Sequence, residues 1–69
     1  MTSFMTFEGK IVRIVDVDGE VFEGRVTDYI YPDDDDTGHE SIIIDCTKGK
    51  LVGESVEFWE RDIQSIKEI

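Results

Sequence analysis

The chain of 69 residues has few of the residues that hold very small proteins together. Its single cysteine, Cys46, excludes an internal disulfide, and its single histidine, His39, excludes a zinc site built from Cys and His clusters. No apolar run approaches the roughly 18 residues of a membrane span, and the N-terminal residues lack the basic segment of a signal peptide. We therefore expect a cytoplasmic protein with one domain, residues 1–69, and no membrane contact.

Size and charge restrict the partners that this chain can have. Seven basic residues stand against seventeen acidic ones, and the net charge is −10. Such a surface repels nucleic acid and acidic membranes, and it favours a basic partner. A chain this short buries only about 60% of its unfolded surface. Without a disulfide or a zinc site, self-association is the support that remains, so we expect a homo-oligomer.

The most informative stretch is residues 11–26, where two β-rich runs meet at Asp18-Gly19. Asp-Gly between such runs is typical of a two-residue hairpin with a type I′ turn, which needs positive φ at both residues. Gly24 lies inside the second run and predicts a bend or a bulge. The two-residue period of a strand assigns four side chains to the core, namely Val12, Ile14, Phe22 and Val26.

Further runs complete an all-β pattern. Phe4 and Phe7 are three residues apart, which predicts a short N-terminal helical turn with both rings on one face, ended by Gly9. Short strands broken by glycine are best closed into a strongly bent small barrel, which removes exposed edges, and the turn would cover one opening. The five predicted strands span residues 10–17, 20–31, 41–47, 51–59 and 63–69.

With these residues, the chain resembles an Sm-like (LSm) domain, of the type found in small uncharacterised bacterial LSm-domain proteins. Sm-like domains have two sequence signatures, and residues 56–63 of this chain resemble the second and shorter one. The resemblance implies an SH3-like, Sm-like barrel. The first signature, apolar alternation followed by Asp-Gly, a large apolar residue and a strand glycine, is matched by Val12, Ile14, Asp18, Gly19, Phe22, Gly24 and Val26.

The resemblance also implies how subunits assemble, because in such domains the fourth strand of one subunit pairs with the fifth strand of its neighbour and closes a ring. Phe58 and Trp59 are adjacent, so on a strand one of them faces the core and the other faces outward. An outward aromatic beside a strand edge suits an interface. The candidate interface side chains are Val52, Val56, Phe58, Trp59, Ile63 and Ile66.

RNA-binding members of the family carry an aspartate and an asparagine around a short connection into the third strand. Here residues 31–40 form a longer connection, and Arg61 is followed by Asp62 where the family has glycine. We therefore favour a non-enzymatic interaction scaffold, with a protein partner that the sequence does not identify. The alternative is a divergent RNA-binding protein, disfavoured by the net charge, whose pocket would use Tyr29, Tyr31 and Arg61.

The acidic run at residues 33–36 half-matches a calcium loop, because Asp33, Asp35 and Thr37 fall at its first, third and fifth positions. Ile44 stands at the twelfth position, where a calcium loop needs a bidentate glutamate. We expect a solvated acidic loop, with weak divalent-cation binding by these three residues as the alternative.

No catalytic constellation emerges from the sequence. His39 has Ser41 and Cys46 nearby in the chain, but nothing in the sequence indicates that either is activated. Cys46 fits a small core residue on the third strand. We expect neither an enzyme nor a cofactor.

Overall fold

The computed structural model describes residues 4–32 and 39–69. Five strands form one antiparallel sheet in the order β4-β3-β2-β1-β5. A first 3₁₀ turn (Phe4–Phe7) precedes β1, and a second 3₁₀ turn (Glu60–Asp62) joins β4 to β5. The all-β prediction is confirmed, and the described residues contain no α-helix. The strands are β1 (Ile11–Asp16), β2 (Val21–Ile30), β3 (Ser41–Lys48), β4 (Ser55–Trp59) and β5 (Ile63–Glu68).

The sheet is bent but not closed. β4 and β5 are its outer strands, and in residues 4–32 and 39–69 they do not pair with each other. Five flat strands would hold the outer two about 19 Å apart. The second 3₁₀ turn joins them with three residues, a link that spans about 14 Å at most. The sheet must therefore curl, but the strand pairing shows an open sheet where the sequence predicts a closed barrel.

The core lies on the concave face and follows the two-residue period of the strands. All four predicted core residues are buried, and Cys46 is buried with them, so those predictions are confirmed. The first 3₁₀ turn adds the buried ring of Phe4 and the partly buried ring of Phe7. The complete buried cluster is Phe4, Val12, Ile14, Phe22, Val26, Ile42, Ile44, Cys46 and Phe58.

Gly24 marks the closest approach between the backbones of β2 and β3. A Cβ atom added to Gly24 would overlap the carbonyl oxygen of Asp45 and lie 2.9 Å from the Asp45 carbonyl carbon. The strand register shifts at this position, between Glu23 and Gly24. A bulge therefore lies beside this glycine, as predicted, but its extra residue belongs to β3 and not to the glycine's own strand.

Two threonines occupy the bulges of the β2–β3 pair. Thr47 is the extra residue on β3 at the first register shift, and Thr27 is the extra residue on β2 at the second. The hydroxyl of Thr47 donates to the Glu23 carbonyl oxygen at 3.2 Å, and that of Thr27 donates to the Ile43 carbonyl oxygen at 3.3 Å. Each bulge residue thus supplies a side-chain donor to the opposite strand.

The turn between β1 and β2 differs from the predicted type I′ turn. Only glycines have positive φ among the described residues, so Asp18 does not meet the requirement, whereas Gly19 has φ of 85°. The Gly19 N–H donates to the Asp16 carbonyl at 2.9 Å, and the Asp16 N–H donates to the Glu20 carbonyl at 2.9 Å. The connection is therefore a longer loop closed by a left-handed glycine, a common alternative in hairpins.

The fourth strand is shorter than predicted. Residues 51–54 form turns, in which the Val52 N–H donates to the Gly49 carbonyl and the Glu54 N–H donates to the Leu51 carbonyl. These local hydrogen bonds use backbone groups that a longer strand would direct to its neighbour. β4 therefore begins at Ser55, and Val52 lies outside it. The other strands match their predicted spans within two residues.

We predict that Gly24→Ala destabilises the protein by about 3 kcal/mol, because the new methyl group meets rigid backbone and the strands must separate. Gly19→Ala is the matched control. It meets no atom within 4 Å and carries only the strain of positive φ, which costs about 1–2 kcal/mol. Urea unfolding of both variants measures the difference. Equal losses of stability in the two variants would show that the close approach of β2 and β3 at Gly24 does not limit the size of this residue.

We also predict that Glu23 titrates below its ordinary value of 4.5. The Arg13 Nε donates to Glu23 Oε2 at 2.7 Å across β1 and β2, and this hydrogen bond lowers the pKa of Glu23, aided by the charges of Arg13 and Lys48. Since the folded-state pKa is lowered, the stabilisation is complete above pH 4.5 and is lost as the pH falls through the folded-state value.

An NMR titration of the Glu23 side chain tests this. Arg13→Gln should move its midpoint upward, whereas Lys10→Gln should leave it in place, because Lys10 faces Glu68 at 4.0 Å. An unchanged midpoint in Arg13→Gln would show that the ion pair does not set the titration.

Candidate functional site

The outer edges of β4 and β5 are the first candidate site. The Cys46 N–H donates to the Glu54 carbonyl at 2.9 Å. Along an antiparallel strand, every second residue directs its N–H and C=O to the neighbouring strand, so those of Ser55, Glu57 and Trp59 point away from β3. The Ile69 N–H donates to the Ile11 carbonyl at 2.9 Å, so the same alternation directs those of Ile66 and Glu68 away from β1. In the part of the chain that the structure describes, no strand pairs with either edge.

The predicted interface side chains fall into two groups. Phe58 belongs to the core, and three others, Val56, Ile63 and Ile66, are partly buried against it. Trp59 is 37% exposed and Val52, in the turn before β4, is 60% exposed. The prediction that Phe58 and Trp59 face opposite sides is confirmed, while an interface role for the six residues stays a prediction.

A buried carboxylate organises the end of the sheet where β2 finishes and β3 begins. Glu40 is only 7% exposed. Its Oε1 accepts the Tyr29 hydroxyl at 2.6 Å and the Phe4 backbone N–H at 3.2 Å. Its carbonyl oxygen also accepts the Glu60 N–H at 3.0 Å. Glu40 thus connects β2, the first 3₁₀ turn and the second 3₁₀ turn at one point.

The residues of the alternative RNA pocket are divided between two contacts. The rings of Tyr29 and Tyr31 meet edge to face, with centroids 5.1 Å apart, and Tyr31 is 67% exposed. The guanidinium carbon of Arg61 instead lies 5.9 Å from the centre of the Trp59 ring. The tyrosine hydroxyl that a base-binding pocket would use is held by Glu40. The structure brings the two tyrosines together but pairs Arg61 with Trp59.

The nucleophile candidates have structural partners. The Cys46 thiol is buried and donates to the Lys48 carbonyl at 3.2 Å, and the Ser41 hydroxyl donates to Glu57 at 2.8 Å. His39 Nδ1 lies 3.6 Å from the Glu60 carboxylate. These contacts explain the three residues as parts of the fold.

The metal candidates Asp33, Asp35 and Thr37 lie outside the described residues, so the calcium-loop hypothesis stays a hypothesis. Among residues 4–32 and 39–69, no group of three or more His, Cys, Asp or Glu side chains is placed to hold a metal ion.

Sequence reasoning missed Glu40 as a buried anchor, because an acid next to an acidic run is usually solvated. The available signal was the apolar run that follows it: Glu40 stands two positions before three isoleucines, where the chain enters the sheet. The hydroxyl of Tyr29, near the end of β2, donates a hydrogen bond to this carboxylate and offsets part of the free-energy cost of burying it.

No protein-family model, curated protein or solved structure matches this chain. In the described part of the chain, no helix has the length and apolar character needed to span a membrane. The functional assignment therefore depends on the geometry of the surface.

We predict that Tyr29→Phe destabilises the protein by about 1.5–3 kcal/mol, since it removes a hydrogen bond to a buried charged acceptor. Tyr31→Phe is the matched control, because its exposed hydroxyl should contribute less than about 0.5 kcal/mol. Thermal or urea unfolding compares the two variants. Equal effects would show that the Tyr29–Glu40 hydrogen bond does not stabilise this end of the sheet.

Proposed function

We propose that this chain is a non-enzymatic, Sm-like interaction module that self-associates when the β4 edge of one copy pairs with the β5 edge of the next. The observation that carries the proposal is the pair of unpartnered outer strands in the described sheet. Exposed strand edges readily add a strand from another chain, and proteins without such a use normally block them.

The two edges are suited to each other in length. β4 has five residues and β5 has six, so one can pair with the other along almost its whole length. Because the contact joins two different edges, it is heterologous and leaves one β4 edge and one β5 edge free at the ends of a dimer. Repetition of the contact closes a ring or continues as a filament.

The curvature of the sheet supports the Sm-like part of the proposal. The three-residue link between the outer strands brings the two edges toward one another and resembles the connection in a small bent barrel. Trp59 lies at the end of β4 and is partly exposed, a suitable position for an aromatic anchor at a subunit contact. Pairing would also support a core limited by the size of the chain.

Charge supplies a test of this assembly. Each copy carries a net charge of −10, so copies repel one another, and added salt should screen the repulsion and strengthen association. Binding of RNA through phosphates has the opposite dependence and weakens as salt rises. The two function classes therefore predict opposite responses to salt.

We predict that light scattering across a concentration series shows oligomers of the unmodified chain, and that Trp59→Ser shifts the population toward monomer. Val21→Ser is the matched control, because Val21 is similarly exposed at 44% but lies on β2, inside the sheet. Its assembly should match that of the unmodified chain.

A strict monomer at high concentration in both low and raised salt would overturn the proposal. The same samples are titrated with uridine-rich and adenine-rich RNA at low and physiological salt. Tight, base-selective binding by the monomer would replace self-association with the RNA-binding alternative.

A further inference from the structure

A second surface opens between the β1–β2 turn, the β3–β4 turn and the second 3₁₀ turn, and β4 contributes Glu57 and Phe58 to its lining. It is a cleft of about 290 Å³. The rings of Phe22 and Phe58, whose centroids are 5.2 Å apart, lie at its base, and Val17 and Leu51 extend its apolar lining. The cleft is thus a small hollow between three tight turns, with apolar rings at its base and mostly charged residues in the rest of its lining.

The turns are held in place around the cleft by specific hydrogen bonds. Asp16 Oδ1 accepts the backbone N–H groups of Asp18 and Glu20, each at 2.9 Å, and shapes the β1–β2 turn. The Val17 N–H donates to the Asp62 carbonyl oxygen at 3.1 Å and joins this turn to the second 3₁₀ turn. The rim of the cleft is therefore preorganised.

That rim is strongly acidic. Four of its residues are acids, Asp16, Asp18, Glu20 and Asp62, and one is a base, Lys50. Glu57 also borders the cleft, but its carboxylate accepts the Ser41 hydroxyl at 2.8 Å. The arrangement of acids around an apolar base favours a ligand with a positive head group and an apolar stem.

The chain already places one cation at this rim. Lys50 Nζ lies 2.7 Å from Glu20 Oε2, bridging the β3–β4 and β1–β2 turns. The hydrogen bond and charge of Glu20, together with the charges of Asp16 and Asp18, raise the pKa of Lys50 above its ordinary value. The Lys50 side chain is largely exposed, so an incoming cation can displace it.

The volume of the cleft indicates the kind of ligand. Sites for whole small molecules occupy about 300–1,000 Å³, so this cleft is at their lower limit and suits one or two side chains of a larger partner. Lysine and arginine have the required form, since their aliphatic stems cover apolar surface while their charged ends reach polar groups.

We propose that the cleft binds a basic peptide segment of a partner protein. The stem of a lysine or arginine side chain lies over Phe22 and Phe58, and its charged end takes the place of Lys50 among the acids of the rim. A second copy of this chain is the less suitable occupant, because its net charge is −10 and it would approach an acidic rim.

The first test uses a fluorescent peptide of alternating lysine and leucine, with binding followed by anisotropy. Lys50→Gln removes the internal competitor, and we expect binding to become about two- to fivefold tighter. Lys48→Gln changes the net charge equally but lies outside the cleft lining, so we expect less than a twofold change. An equal gain in peptide affinity in both variants would show that the net charge alone controls binding, and this result would overturn the proposal.

The second test removes the acids of the rim. Asp18→Asn with Asp62→Asn should weaken binding about three- to tenfold, whereas Glu8→Gln with Asp28→Asn, a pair with the same charge change at exposed sites outside the lining, should not. Far-UV circular dichroism and melting verify that each variant is folded. Equal weakening by both pairs, or no binding of the peptide at low salt, would overturn the proposal.

Amide shifts in NMR locate the peptide and separate this proposal from self-association. Shifts concentrated at Val17, Leu51 and Asp62 support the cleft. Shifts concentrated along β4 or β5 would show that the peptide adds as a strand, which overturns the cleft assignment. A peptide with 2,3-diaminopropionic acid in place of lysine keeps the positive charge but lacks the long aliphatic stem, and its equally tight binding would remove the role of the apolar base.

Discussion

The close approach of Gly24 to the Asp45 carbonyl is the constraint on which the rest of the sheet depends. A side chain at this position would force β2 and β3 apart, and these are the longest strands of the sheet. The bulges at Thr27 and Thr47 increase the local bend, and their hydroxyls donate to carbonyl groups on the opposite strand. The resulting curvature brings β4 and β5 within reach of a three-residue link.

That curvature connects the fold to both surfaces. It leaves the two outer strands unpaired in the described sheet while drawing their ends together, which is the geometry that we propose for self-association. It also brings the turn after β1 against the second 3₁₀ turn, where Val17 donates to the Asp62 carbonyl, and so forms the acidic cleft. The edges present backbone groups, whereas the cleft presents carboxylates around apolar rings, so the two surfaces are suited to different ligands.

Features fixed by local physics could be predicted from the sequence. The two-residue alternation of a strand placed Val12 and Ile14 correctly in the core, and Gly24, inside a strand, correctly indicated a bulge at that point of the β2–β3 pair. Features set by tertiary contacts could not. The burial of Glu40 depends on donors from Tyr29 and Phe4, which are distant in the sequence.

The same limit applies to the surfaces. The cleft combines three turns, none of which carries a recognisable motif alone, whereas the most conspicuous acidic feature of the sequence is the separate run at residues 33–36. The sequence could not decide whether the sheet closes, because the same strand pattern fits an open bent sheet and a closed barrel.

The pairing of β1 with β5 has a consequence for how the chain acquires its structure. The other three pairs of neighbouring strands are successive in the chain, whereas Val12 lies opposite Glu68, 56 positions further along the chain, and so closes a long loop. Contacts between such distant segments carry the largest entropic penalty and slow folding. The three pairs of successive strands can form from nearby segments of the chain, but β5 can dock only when it meets β1, from the other end of the described chain.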